Sequence, residues 1–277
     1  MVGLEEREHN GIHIARLHYI ADPAKRSGEW KAQAREGFVS DREWRREMEI
    51  DWTVASGLPV YAEEFIRDFH IAKEPLLAYP DKTILRGWDF GLQPACAFTQ
   101  VDTQGRLNVI GEYVTWDGRG DMKQKGILRF AEEVIALSND WYPGAPFRDY
   151  ADPAGWSKAQ TDERTCVEIM RDKDIHPIQG PITFEARKRA MVAMLGEQAG
   201  GRAKLLISPD CHMLIEGFEG AYKYEQIGET GRYKETVEKN AWSHPMNALE
   251  YIIGAVFTNQ TEPIHYRKRG RPDRSGY

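Results

Sequence analysis

The chain is 277 residues long, 41% hydrophobic and 29% charged, ordinary values for a soluble globular protein with room for one sizeable domain and an appendage. Its net charge of −6 argues against a histone- or repressor-like role, in which affinity comes from broad phosphate neutralisation. No apolar run approaches the roughly 18 residues that cross a bilayer, no signal-peptide pattern opens the chain, and the widely spaced Cys96, Cys166 and Cys211 suggest neither a disulfide framework nor a zinc site.

In chain order, residues 12–19 read as a short strand and Asp22-Pro23 as a turn, while 30–36 and 41–52 carry Arg, Glu and Trp at helical spacings. With little apolar mass of its own, the stretch 1–75 is expected to be an adapter packed on a neighbour, interrupted by Gly57-Leu58-Pro59. Strands are predicted at 83–88, 95–101 and 106–115, the last two joined by a hairpin turn at Asp102-Thr103-Gln104-Gly105. Ile127, Phe130, Ala131, Val134 and Ile135 then form the buried stripe of a helix. Further strands are expected at 147–151, 175–179, 205–207 and 222–226, with helices at 157–171, 184–198 and 244–257. Ser243 suits the N-cap of the last helix, and Asp210 the cap of a short helix behind it. The basic tail 263–277 is expected to be disordered. This order predicts an α/β fold over 76–262: a ribonuclease-H-like mixed sheet, with an antiparallel three-strand meander plus parallel strands, flanked by helices.

Two carboxylates end two of these strands. Asp89 closes Arg86-Gly87-Trp88-Asp89 and Asp152 closes Tyr150-Ala151-Asp152-Pro153. If those strands are neighbours, both acids leave one rim of the sheet and offer hard oxygens to Mg²⁺ or Mn²⁺. Taken singly, each aspartate could equally cap a turn. On the last helix His244, Asn247 and Tyr251 share one face at i, i+3 and i+7, with Glu250 beside Asn247. Glu112 is either an accessory ligand or an exposed strand acid. Arg187, Lys188 and Arg189 are either phosphate contacts or a solvated helix face, and Arg267, Lys268 and Arg269 of the tail are further candidates for DNA.

The segments Gly87-Trp88-Asp89-Phe90-Gly91, Ala151-Asp152-Pro153-Ala154-Gly155 and Ser243-His244-Pro245-Met246-Asn247-Ala248-Leu249-Glu250-Tyr251 resemble the three acidic motifs of tailed-phage large-terminase nuclease domains. Similar surroundings are Lys188-Arg189, Ile207-Ser208-Pro209-Asp210-Cys211, Trp44-Arg45-Arg46-Glu47 and Gly57-Leu58-Pro59-Val60-Tyr61. The resemblance implies an endonuclease that cuts concatemeric double-stranded DNA with two divalent ions. Asp89 would bridge both, Asp152 would hold one, and Asn247 would complete the other. It also implies partners (a terminase ATPase domain, a small terminase subunit and a portal), work in the cytoplasm of an infected bacterium, and residues 1–75 corresponding to the end of a motor domain and its linker. Two departures stand out. The family's third carboxylate is Asn247 here, a neutral ligand that Glu250 or His244 would have to support. No GxxxxGK[ST] phosphate loop occurs, so a packaging ATPase would have to be supplied by another chain or a missing part of this one.

Overall fold

The computed structural model describes residues 2–9, 12–37, 44, 47–50, 57–115, 123–158, 164–228 and 232–257. The N-terminal part opens with a hairpin of β1 (Leu4–His9) and β2 (Ile12–Leu17), followed by α1 (Gly28–Arg35). Glu49 gathers this part by accepting from Trp44 Nε1, Lys31 Nζ and His18 Nε2. Residues 57–75 behave differently: Val60 and Tyr61 are buried in the main core, and Ile71, just after α2 (Arg67–His70), bridges to Ile207. The expected helix at 41–52 falls largely outside the described residues, as does the tail after residue 257.

The centre is a sheet of β3 (Ile84–Asp89), β4 (Ala95–Val101), β5 (Leu107–Val114), β6 (Phe147–Ala151), β7 (Ile178–Gln179) and β10 (Leu205–Ile207), preceded by the short hairpin of β8 (Gln198–Ala199) and β9 (Arg202–Ala203). The strand order is β10-β5-β4-β3-β6-β7. β3, β4 and β5 form the antiparallel meander, β6 and β7 run parallel to β3, and β10 runs parallel to β5. This is the expected ribonuclease-H-like mixed sheet. Helices cover both faces: α3 (Ile127–Trp141) and α4 (Cys166–Arg171) on one, α5 (Phe184–Gly196) and α7 (Ser243–Phe257) on the other. α6 (His212–Glu216) leads into a third hairpin, β11 (Tyr224–Ile227) with β12 (Arg232–Val237).

Because side chains alternate across a strand, β3 has two characters. Ile84 and Trp88 pack into the α3 core, while Leu85 packs into the α7 core. Between the first two, Arg86 forms a buried two-pronged ion pair with Asp149 of β6, which also accepts from Trp88 Nε1. On the α7 side Gly87 leaves room for the helix: a Cβ there would sit 2.0 Å from the Ala248 carbonyl oxygen. The same alternation carries Asp89 to the α7 side, and Tyr150 of β6 carries Asp152 with it.

Two expectations change, and two strands were not foreseen. Helix α4 begins at Cys166, and residues 159–163 before it are not described. Ser243 lies inside the first turn of α7, its hydroxyl donating to Asn240 O, while Asn240 Oδ1 accepts the Trp242 and Ser243 amides as the cap. The partners β1 and β12 were not legible because each is polar and belongs to a two-stranded ribbon with no buried face to imprint a pattern.

Replacing Gly87 with alanine must push α7 off β3, since the obstacle is backbone. Gly87→Ala is expected to lose about 1–3 kcal/mol, the range for overpacking, measured by urea denaturation.

Candidate active site

Asp89 is the last residue of β3, and Asp152 follows β6 directly. Trp88 is in register with Ala151, and the Asp152 amide donates to Trp88 O at 3.0 Å, so the two aspartates leave neighbouring strand ends together. Asp152 also accepts the Ala154 amide at 2.9 Å and caps the turn Pro153–Trp156. Capping therefore coexists with its place at the rim.

The helix α7 closes the other side. His244 Nδ1 lies 2.7 Å from Asp89 Oδ2, and Tyr251 lies near enough to Asp152 to feel its charge. Asn247 lies between those two residues on the same helical face and is buried. The triple His244, Asn247 and Tyr251 is thus the face that meets both carboxylates. Gly180 makes this possible at the far end, because a Cβ there would lie 2.7 Å from the Tyr251 ring. Asp89 is only 4% exposed, and its carboxyl is raised above the usual range. Burial is the main cause and repulsion from Asp152 adds to it, while His244 and Lys239 oppose.

Behind Asn247 lies a buried polar cluster that sequence reasoning did not find. The Tyr222 hydroxyl donates to Asn247 Oδ1 at 3.2 Å, and Tyr61 donates to Glu250 Oε1 at 2.7 Å. Tyr61 is 189 residues from Glu250, a separation that no local spacing reveals. Glu250 is fully buried and paired with Arg187, whose guanidinium also lies over the Tyr251 ring at 4.8 Å. Glu250 is therefore committed to Tyr61 and Arg187 rather than standing free as a substitute ligand. Arg187 is not a solvated side chain, because that ion pair holds it largely inside.

Glu112 is likewise neither at the aspartate rim nor on an exposed strand. It receives the Met213 and Leu214 amides at 2.7 and 2.9 Å and so caps α6, the role expected of Asp210. Lys188 donates to the Tyr224 hydroxyl, and with Arg189 it lines a cleft of about 790 Å³ shared with Phe184, Tyr233 and Lys234. Arg267, Lys268 and Arg269 lie outside the described residues.

As a cation site the rim has suitable chemistry: two carboxylates with hard oxygens, one of them desolvated and repelled by the other, on the helix face that carries the Asn247 amide. No cluster of three or more His, Cys, Asp or Glu able to hold a metal ion occurs among the described residues. The donor set is accordingly two charged groups and one neutral one.

Neither a protein-family model nor a curated protein matches the sequence. Among solved structures, the large terminase from the thermophilic bacteriophage D6E in complex with ADP aligns over 87% of this chain and 54% of its own, at 17% identity and a TM-score of 0.57. A second structure of the same terminase covers 87% of this chain and 55% of its own, at 17% identity and a TM-score of 0.55. The P22 large terminase nuclease domain overlays 70% of this chain and 89% of its own at 12% identity and a TM-score of 0.47, too loosely to carry weight. At these identities the D6E likeness is one of fold. The chain spans about half the length of the D6E terminase it matches.

Burial pushes the Glu112 carboxyl up to about 7, although both amides it caps favour the ionised form. A folded-state value above the ordinary 4.5 gives stability that is full below about 4.5 and lost as pH rises through about 7. Relative to Glu112→Gln, the wild type is expected to lose up to ~3 kcal/mol across that window. Urea denaturation of both proteins at several pH values checks the difference.

Proposed function

We propose that this chain is a metal-dependent endonuclease that cleaves double-stranded DNA, acting as the nuclease part of a phage large terminase. The observation that carries the reading is the convergence of Asp89 and Asp152 at adjacent strand ends, under one face of a helix that presents His244, Asn247 and Tyr251. Asp89 would bridge two divalent ions, Mg²⁺ or Mn²⁺, with Asp152 on one and Asn247 on the other. When bound, such ions supply the activated water and the charge that offsets the departing 3′ oxygen.

The chain's own residues do the positioning. His244 holds Asp89 and the Ala154 amide holds Asp152, so neither carboxylate has to be ordered when substrate arrives. With an acidic rim and a net charge of −6, attraction for phosphate would come from the ions and from local basic residues. Lys188 and Arg189 are the described candidates, joined by Arg267, Lys268 and Arg269 of the tail. Cutting of concatemeric genomes, with an ATPase domain, a small subunit and a portal as partners in an infected bacterium's cytoplasm, completes the proposal by resemblance to the terminase motifs.

The neutral Asn247 favours a second reading, a catalytically weak module that docks DNA within a packaging motor. Titration with Mn²⁺ separates the two: two bound ions with plasmid nicking belong to the enzyme, and no binding at millimolar metal belongs to the module. A resolvase- or transposase-like nuclease of the same fold would instead prefer a four-way junction over linear duplex.

For the enzyme, Asp89→Ala and Asp152→Ala are each expected to abolish Mn²⁺-dependent cleavage of plasmid DNA while circular dichroism reports an intact fold. Undiminished cutting by either variant would remove that residue from the site.

A further inference from the structure

An amide can turn either its oxygen or its nitrogen toward a neighbour, and only the oxygen ligates a cation. For Asn247 the choice falls to the groups behind it. The Tyr222 hydroxyl carries one proton: it lies 3.2 Å from Asn247 Oδ1, and its ring stacks on that of Tyr61, the partner of Glu250, which brings it beside the Glu250 carboxylate. Of the two Glu250 oxygens, Oε1 already accepts from Tyr61. Oε2 lies 3.3 Å from Arg187 Nε, but the N–H is not aligned on it, and this buried oxygen has no hydrogen-bond donor among the described residues.

A buried carboxylate oxygen without a donor is costly. The hydroxyl proton within reach is that of Tyr222, and a carboxylate outcompetes an amide oxygen for it because the bond is charge-assisted. Once that proton goes to Glu250, Tyr222 can only accept from Asn247, and the group that answers must be the amide nitrogen. A half-turn about the Asn247 Cβ–Cγ bond exchanges nitrogen for oxygen and leaves the side-chain skeleton in place.

We propose that Glu250 and Tyr222 are positioning residues that fix the Asn247 amide with Nδ2 donating to Tyr222 and Oδ1 turned toward Asp89 and Asp152. The order of donation runs one way, from Asn247 Nδ2 to Tyr222 and from Tyr222 to Glu250, because a carboxylate donates nothing. Arg187 supplies the countercharge that lets the anion sit there. The cluster thereby converts an ambiguous amide into an oxygen ligand, which is what the endonuclease reading of this site requires of it.

Two measurements on the full chain test this. In metal-free ¹⁵N-labelled protein, with the Asn247 side-chain amide assigned by its loss in Asn247→Asp, a nuclear Overhauser contact is expected between the Asn247 amide protons and the Tyr222 ring. Its absence overturns the orientation. In calorimetric Mn²⁺ titrations, Tyr222→Phe and Glu250→Gln are each expected to weaken binding on the order of tenfold. In an Asn247→Asp background Tyr222→Phe should have no effect, because either carboxylate oxygen can ligate. Equal weakening in both backgrounds would mean that Tyr222 only supports packing and would overturn the proposal. An Overhauser contact in a protein that binds no Mn²⁺ would uphold the orientation and defeat the endonuclease reading instead.

Discussion

The contact on which the site depends is the approach of α7 to β3. A helix cannot normally lie against a strand with its carbonyl at the position a Cβ would occupy, and Gly87 removes that atom where Ala248 O arrives. Because Gly87 is two residues before Asp89, the same strand face that admits the helix also delivers the carboxylate beneath it. Gly180 repeats the device under Tyr251, at the end of the helix face that reaches Asp152. The rim is therefore set by backbone proximity, which is rigid, rather than by long side chains reaching across a gap.

Such proximity concentrates negative charge. Asp152 repels Asp89 and Asp89 repels Glu250, and both Asp89 and Glu250 are deeply buried. Each has a particular compensating group: His244 on Asp89, the Ala154 amide on Asp152, and Arg187 with Tyr61 on Glu250. Removing one partner from such a cluster leaves a buried charge unmet, which is dearer than losing the pair. On the opposite face of the sheet, Arg86 and Asp149 are matched by two parallel hydrogen bonds and hold β3 against β6. That pairing keeps the two aspartate-bearing strands adjacent.

Much of this was legible in the linear pattern. The boundaries of β4, β6 and β10 match the expected ones, the strands being closed by Asp102, by Asp152-Pro153 and by Ser208-Pro209, and α7 follows from its apolar content between Asn240 and the tail. Both aspartates stood out because each closes a strand. Charged residues inside helices were less legible. Arg187 belongs to Arg187-Lys188-Arg189, a triplet that reads as surface, yet one of its three members is folded inward onto Glu250. Glu112 sits in a strand of mixed polarity, and nothing near it in the chain announces the two amides of α6 that it caps.

The sequence by itself determined the order of the elements that build the central sheet and its covering helices, the face of each strand on which an acid emerges, and the residue types available for chemistry, because alternation and helical periodicity are local properties. Tertiary structure alone decided which groups became partners. His244 meets Asp89 across 155 residues and Tyr61 meets Glu250 across 189, contacts that exist only once sheet and helices have packed. Whether a charged side chain turns to solvent or to a buried counterion depends on those distant neighbours, since burial sets the cost of leaving it unpaired.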